Sequence, residues 1–427
     1  MKKRSYILQL LQKHCIWLIM LIAFACTGNK TLSQRVEIHQ LGLGDGDCSL
    51  IVVIDSVESI FGPKRTDTAV ILIDAQRNSS KAATQITIYL DSILGKQLNR
   101  KKIDYVVVTH LHIDHYGNMV TVLKSLISKG YSVGTVFDRS AYVFPTLTTG
   151  LAQLDSCYGK IKGTPVLSKS AAAYIAYIKS ISPLKLGARA IQPGDTMFIF
   201  KSFRNVSLRC FAANGANIDY ATGKLNVFLP KSGSNYQPKS ENDLSLVFLL
   251  SYQGFHYFTG GDIGGPGYST SYADGETPIS QSMVAKYGSN FHVCAFKVSH
   301  HGSSESTDAG FLTRMNPTLA VMPASLKTYG KSVNPLPTCI TVDNILNNPG
   351  SRIAFTFVPN GDLKDKANYC KYKNLAYLQD VVIRVDKDPG YGSINMNMTY
   401  SQRSASTMVL NGVVNTEVLQ CTKNHNW

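Results

Sequence analysis

The sequence is short of several things, and each shortage closes off a class of explanation. No two cysteines have the CxxC spacing of a zinc ribbon, and nine cysteines among 427 residues are too sparse for a small disulfide scaffold. On this reading any metal has to rest on His and carboxylates. Charged residues make up only 17% of the chain, which excludes a disordered polyelectrolyte and a coiled coil. Beyond residue 26 no apolar run approaches the roughly 20 residues that a membrane-spanning helix needs. Nor is there a Lys/Arg-rich block, an internal repeat or a Gly-x-Ser-x-Gly elbow. What remains is a globular chain, 44% apolar and long enough for two or three domains or one large elaborated one.

The charge is one-sided, with 43 Lys and Arg against 28 Asp and Glu, formally +15. Four of those bases, Lys2, Lys3, Arg4 and Lys13, fall in the first 26 residues, so without that segment the balance is +11. Such an excess favours an anionic substrate, nucleic acid included, through long-range attraction. The N-terminus itself reads as an address. A basic stretch to His14 precedes the uncharged run Cys15–Cys26, and Ala23 and Ala25 supply small residues before Cys26. Export is expected, to the periplasm, the cell envelope or the medium, either as a soluble protein or held by a lipid anchor on Cys26.

From Arg35 onward, β-rich runs alternate with helical patterns. Strands are expected at Arg35–Leu41, Ser49–Asp55, Thr68–Asp74, Ile103–Thr109, Leu244–Tyr252, Phe255–Thr259, Val293–Ser299 and Thr318–Pro323. Helices are expected at Ala82–Leu94, Tyr116–Ile127, Ala171–Ile181, Ser280–Tyr287 and Pro337–Leu346. This is a layered α/β pattern with mixed sheets rather than a strict βαβ repeat. The stretch 141–193 reads as an insertion. The tail from 346 holds three further strands, Arg352–Val358, Val381–Val385 and Ser393–Met398.

One segment concentrates chemistry. The apolar strand Val106–Thr109 runs directly into His110-Leu111-His112-Ile113-Asp114-His115. His110 and His112 alternate, so an extended backbone projects them to the same side, and Asp114 and His115 follow in the turn. Imidazole and carboxylate are donors that zinc accepts, with manganese also compatible. One or two ions are expected. Packing alone rarely concentrates four such residues at a strand end, because unsatisfied polar groups there are costly to bury.

The HxHxDH pattern resembles that of the metallo-β-lactamase superfamily. More narrowly, Gly44-Asp45-Gly46-Asp47, Asn242-Asp243-Leu244-Ser245-Leu246-Val247 and His300-His301-Gly302-Ser303 are similar to segments of the hydrolase domain of ComEC-type competence proteins. The likeness covers about residues 35–400. It implies a four-layer αββα sandwich with insertions, so that after the signal segment 1–26 a hydrolase domain 35–345 is expected, with a β-rich extension 346–427 completing the fold. It also implies that Asp74 steadies the metal loop by hydrogen bonds and that Asp262 bridges two metals. His110, His112, Asp114, His115, Asp262 and His300 are then the metal ligands, with Asp114 and His301 catalytic and Asp47, Asn242 and Ser245 supporting. Asn334 stands where this group tends to have a His, which weakens one of the two ions. His256 reads as a packed or edge histidine.

These residues predict a hydrolase that uses a metal-activated water, with no covalent nucleophile. Phosphodiester bonds are the first substrate class expected, and a lactam, lactone or thioester is the alternative on the same core. A third possibility is a metal-depleted binding protein that keeps the fold without the chemistry.

Overall fold

The computed structural model describes residues 35–42, 45–57, 65–139, 158–161, 164–167, 169–181, 191–200, 203–232, 235–236, 238–252, 254–266, 271–324, 336–348, 352–356, 377–378, 380–386, 394–401 and 415–421. Residues 1–26, read above as a signal segment and including Cys26, lie outside the described residues, as do Gly44 and Asn334.

The first half supplies β1 (Arg35–Leu41), β2 (Ser49–Val57), β3 (Arg65–Ile73), β4 (Lys102–Val108) and β5 (Ser132–Asp138), with the hairpin β6 (Tyr158–Ile161) and β7 (Thr164–Leu167). The second half supplies β8 (Thr196–Phe200), β9 (Phe203–Ala213), β10 (Ala216–Asp219), β11 (Lys224–Val227), β12 (Lys231–Ser232), β13 (Asn235–Tyr236), β14 (Val247–Tyr252), β15 (Phe255–Thr259), β16 (Ala295–Lys297) and β17 (Leu319–Pro323). Strands β18 (Arg352–Thr356), β19 (Tyr377–Leu378), β20 (Asp380–Asp386), β21 (Ile394–Ser401) and β22 (Asn415–Cys421) follow.

Two large sheets result, in the orders β22-β21-β20-β1-β2-β3-β4-β5 and β11-β10-β9-β14-β15-β16-β17-β18-β19, with β8 also on β9. Runs such as Leu50-Ile51-Val52-Val53-Ile54 are apolar at every position because the sheet is covered on both faces. Ile51 and Val53 turn toward Phe248, Leu250 and Tyr252 of the other sheet. Leu50, Val52 and Ile54 instead meet three helices, α1 (Ser80–Leu90), α3 (Met119–Ser128) and α4 (Lys169–Ile181). A single turn, α2 (Ile113–Tyr116), precedes α3. The outer face of the second sheet packs on α5 (Glu276–Tyr287), α6 (Ala309–Met315) and α7 (Cys339–Asn347). The layers are therefore helix, sheet, sheet, helix.

Several boundaries differ from the sequence expectation for local reasons. The helix expected over Ala82–Leu94 ends at Leu90 and continues as a π-helical turn, Asp91–Gln97. The one expected over Tyr116–Ile127 breaks at Gly117-Asn118. There the Asn118 side chain donates to the carbonyl of Arg77 (2.6 Å) and accepts from the N–H of Ser79 (2.8 Å). Leu244 belongs not to β14 but to a 3₁₀ turn, Glu241–Leu244, capped by Ser240. Strand β9, between β10 and β14 in the second sheet, was not expected, because polar Arg209 and Ser207 interrupt its apolar pattern. The Arg209 guanidinium is satisfied by the carbonyl of Gly194 and the hydroxyl of Tyr220, both at 3.1 Å.

The two halves are also joined through a buried ion pair. Arg139, just past β5, donates to both carboxylate oxygens of Glu241, with Nη2 2.6 Å from Oε2. Glu241 in turn accepts the N–H of Leu111 at 2.9 Å, so the pair fixes the loop between His110 and His112. Removing one member of a fully buried pair strands the other charge, at about 3–5 kcal/mol. Arg139→Met is expected to lose stability of that order in urea unfolding; a loss below about 1 kcal/mol would show that the pair does not hold the halves together.

Candidate metal centre

The centre lies where the C-terminal ends of β4 and β15 and the loop after β16 converge. His110 and His112 leave β4 on the same side, their rings at 75° and His110 Nε2 3.0 Å from His112 Nδ1. Two imidazole nitrogens this close share a proton or an ion. Asp262, after β15, lies 3.8 Å from His110 Nε2 and 3.2 Å from His115 Nε2, measured from the same Oδ2. His301 Nε2 lies 3.5 Å from that oxygen and 3.5 Å from Asp114 Oδ2. Two triads of donor atoms follow, His110–His112–Asp262 and Asp114–His115–His301, each with its atoms within 4.8 Å of one another.

The order within the histidine pair differs from the sequence expectation. His301 Nδ1 donates to the carbonyl of Pro323 at 3.0 Å, which leaves Nε2 to face Asp114 and Asp262. His300 Nε2 is instead 3.2 Å from Asn242 Nδ2, and its ring stands edge-on to Tyr272. So His301, not His300, sits in the second triad. Both residues are left-handed, with φ of 50° and 51°, a conformation costing about 1–3 kcal/mol at each non-glycine residue. The turn is held by Ser306 Oγ donating to the carbonyl of Ser299 (2.8 Å) and by the N–H of Thr338 donating to Gly302 (2.8 Å).

A layer of supporting groups aims the ligands. Asp74 accepts the N–H and hydroxyl of Thr109 (2.8 and 2.7 Å) and contacts His115 Nδ1 at 2.8 Å, turning His115 Nε2 toward Asp262. Ser245 Oγ accepts the N–H of Asp262 at 3.2 Å. Gly46, at φ 96°, lets the Asp45–Asp47 loop pass against the metal loop, since a Cβ there would stand 1.8 Å from the carbonyl oxygen of Asp114. Asp47 lies against the second triad, 3.4 Å from His301 Nδ1 and 3.8 Å from His115 Nδ1. His256 is elsewhere, against Ser251, Tyr287 and Phe291.

The buried charge asks for cations. Asp47, Asp74, Asp114 and Asp262 are 9% exposed or less, and the buried ammonium of Lys297 is bonded to Asp47 and to the carbonyl of Gly261 (2.9 Å). With neutral imidazoles, four carboxylates against one ammonium leave an excess of three negative charges, which two divalent ions and one bound anion cancel. Burial pushes the His115 and His301 pKa values down, but Asp262 with Asp74 or Asp47 outweighs it and raises both well above the ordinary value. Burial opposes ionisation of Asp114 too, and the hydrogen bond from His301 and the charge of His115 more than offset it, holding that carboxyl low. His300 differs: burial brings it down to about 4, so it is neutral at pH 7. Asp262 Oδ1 and His115 Nε2 are buried and make no hydrogen bond, an arrangement that suits metal ligands and penalises anything else. The donor set therefore fits divalent metal.

Lys297, Arg77 and Glu241 belong to this centre and were not singled out from the sequence. Lys297 left a signal, a lone charge inside the apolar strand Val293–Ser299; the other two left none. Arg77 reaches within 3.8 Å of Asp114 Oδ2 with its side chain 41% exposed.

A two-sheet sandwich with paired His/Asp triads at the strand ends is an arrangement suited to holding divalent metal. Residues 64–140 match the family model of the Metallo-beta-lactamase superfamily, so the chain carries a metallo-beta-lactamase superfamily domain; that superfamily is generally one of metal-dependent hydrolases. No curated protein matches the sequence. Among solved structures, the metallo-beta-lactamase fold protein YhfI from Bacillus subtilis is 8% identical, covering 76% of this chain and 98% of its own, with a TM-score of 0.37. A diphosphatase from the PhnP family is 10% identical over 74% of this chain and 94% of its own, TM-score 0.34. A metallo beta lactamase from Hirschia baltica is 12% identical over 59% and 84%, TM-score 0.23.

Lys297→Met is expected to destabilise the metal-free protein by about 3–5 kcal/mol, because buried Asp47 loses its ammonium partner. Adding Asp47→Asn should recover much of that loss in urea unfolding; a double variant as unstable as the sum of the singles would show that the two do not act as a pair.

Proposed function

We propose that the protein is an exported, metal-dependent hydrolase of phosphodiester bonds, with nucleic acid within its substrate range. The observation that carries this reading is the pair of triads meeting at Asp262. His110 and His112 with Asp262 would hold one divalent ion, and Asp114, His115 and His301 with Asp262 the other, zinc being the ion best suited to this donor set. Such ions supply a Lewis acid for the oxygen under attack and lower the pKa of water from 15.7 to about 7.

The chain's own groups do the rest. Asp114, kept ionised, accepts a hydrogen bond from the attacking water and orients it. His300, neutral at pH 7, takes the substrate side in place of His301 and offers hydrogen bonds to the substrate rather than a proton. Arg77 borders Asp114 with a fixed positive charge partly open to solvent, and the +11 balance beyond residue 26 attracts the same anionic substrates over a longer range. Asp74, Asp47 and Ser245 keep the ligands aimed. Export rests on the first 26 residues, with Cys26 a site for lipid attachment. Among the described residues no helix is long and apolar enough to cross a membrane.

The test is residues 27–427, assayed for bound zinc and manganese and for hydrolysis of a chromogenic phosphodiester, single-stranded DNA and a β-lactam. About two ions per chain are expected, with phosphodiester turnover falling roughly 100-fold or more in Asp114→Ala. Cleavage of the lactam alone would overturn the substrate assignment. Less than about half an equivalent of metal, with no activity above that variant, would overturn the enzyme reading and favour a binding protein.

A further inference from the structure

The expectation that any metal must rest on His and carboxylates overlooks His292 and Cys294, which meet Cys421 from far along the chain. We propose that His292, Cys294 and Cys421 form a second metal site, in which a soft or borderline divalent ion such as zinc replaces the Cys294–Cys421 disulfide when the protein is reduced. This inference is independent of the hydrolase reading.

In the structure the two cysteines are bonded across 127 residues of sequence, with Cα atoms 5.3 Å apart. His292 Nε2 lies 2.9 Å from Cys421 Sγ and 4.0 Å from Cys294 Sγ. All three side chains are buried, and their donor atoms lie within 4.8 Å of one another. Two thiolates and an imidazole are a donor set that zinc accepts, and thiolates select soft ions over magnesium or calcium. Zn–S bonds of about 2.3 Å at a tetrahedral angle put two sulfurs roughly 3.8 Å apart and a sulfur and an imidazole nitrogen roughly 3.5 Å apart. Once the disulfide is broken, rotation about the Cα–Cβ bonds lets the sulfurs part while the backbone stays. The imidazole is already at the required range.

The exchange balances. A dithiol gives two electrons and two protons to the S–S bond and becomes a disulfide itself. The ion then displaces both thiol protons to solvent and binds His292 as the neutral imidazole. Either linkage fastens the same two points, the last residue of β22 and the segment entering β16, which leads through Lys297 to His300 and His301. Among the described residues the free cysteines, Cys48 and Cys210, are both buried and belong to no such group.

The test uses metal-stripped full chain, oxidised or reduced with a dithiol that is then removed anaerobically, and titrated with cobalt(II). The reduced protein is expected to take one more equivalent than the oxidised protein and to develop thiolate-to-cobalt charge-transfer absorbance, which His/Asp ligands do not give. Cys421→Ser should lose that band. Asp262→Asn, which alters only the other centre, should keep it. His292→Ala, which leaves the disulfide able to form, should bind this cobalt at least roughly tenfold more weakly. No charge-transfer band in the reduced protein, or a band unchanged in Cys421→Ser, would overturn the proposal, as would an affinity unchanged in His292→Ala.

Discussion

Four carboxylates are buried within a few ångströms of one another at the ends of β4 and β15, and most of the surrounding structure can be understood as a response to that charge. A buried carboxylate is stable only when paired or neutralised. One of the four, Asp47, is answered by Lys297 from the neighbouring sheet. Asp74 is answered by Thr109 and His115. Asp114 and Asp262 are left facing imidazoles whose other nitrogens are already committed, His115 to Asp74 and His301 to Pro323. The protein thus builds a negative cavity and points the remaining lone pairs into it, which is a specification for cations. The His300–His301 turn shows how tightly that specification is kept: two successive left-handed residues are tolerated so that His301 faces inward and His300 does not.

Much of this was legible in the sequence, and the part that was not has a physical explanation. The apolar runs at β1 to β4, β14, β15 and β17 were visible because strands covered on both faces must be apolar throughout. His110 to His115 was visible because four ligand residues in six positions are hard to reconcile with packing. The order of His300 and His301 was not, since it depends on a backbone conformation that no side-chain pattern encodes. Strand β9 was hidden by Arg209, whose charge is satisfied by partners in other elements. Lys297 is the instructive case, for a lysine in a strand reads as an edge or a surface until the carboxylate it faces, 250 residues earlier, is known.

The cysteines teach the same lesson. Their spacing along the chain said nothing about which thiols meet. Folding brings Cys294 and Cys421 together beside His292, and Cys339 is also disulfide-bonded. Sequence proximity is informative only for sites assembled on one turn, such as the HxHxDH loop. Sites assembled between sheets are invisible until the topology is known.

That topology sets a timetable for assembly. Strand β1 lies between β2 and β20 in the first sheet, pairing with β20 from Arg35 opposite Asp386 to Leu41 opposite Asp380. The N–H of Gly42 reaches the carboxylate of Asp380, 338 residues later in the chain, at 3.0 Å. At a synthesis rate of about 5–20 residues per second, some tens of seconds separate the two strands. During that interval β2 can pair with one edge of β1 while the other stays open, and an unpaired edge invites pairing with a foreign strand. Arg35 and Glu37 on β1, bonded to each other at 2.6 Å, put charge on that waiting edge and make it a poor template for another chain.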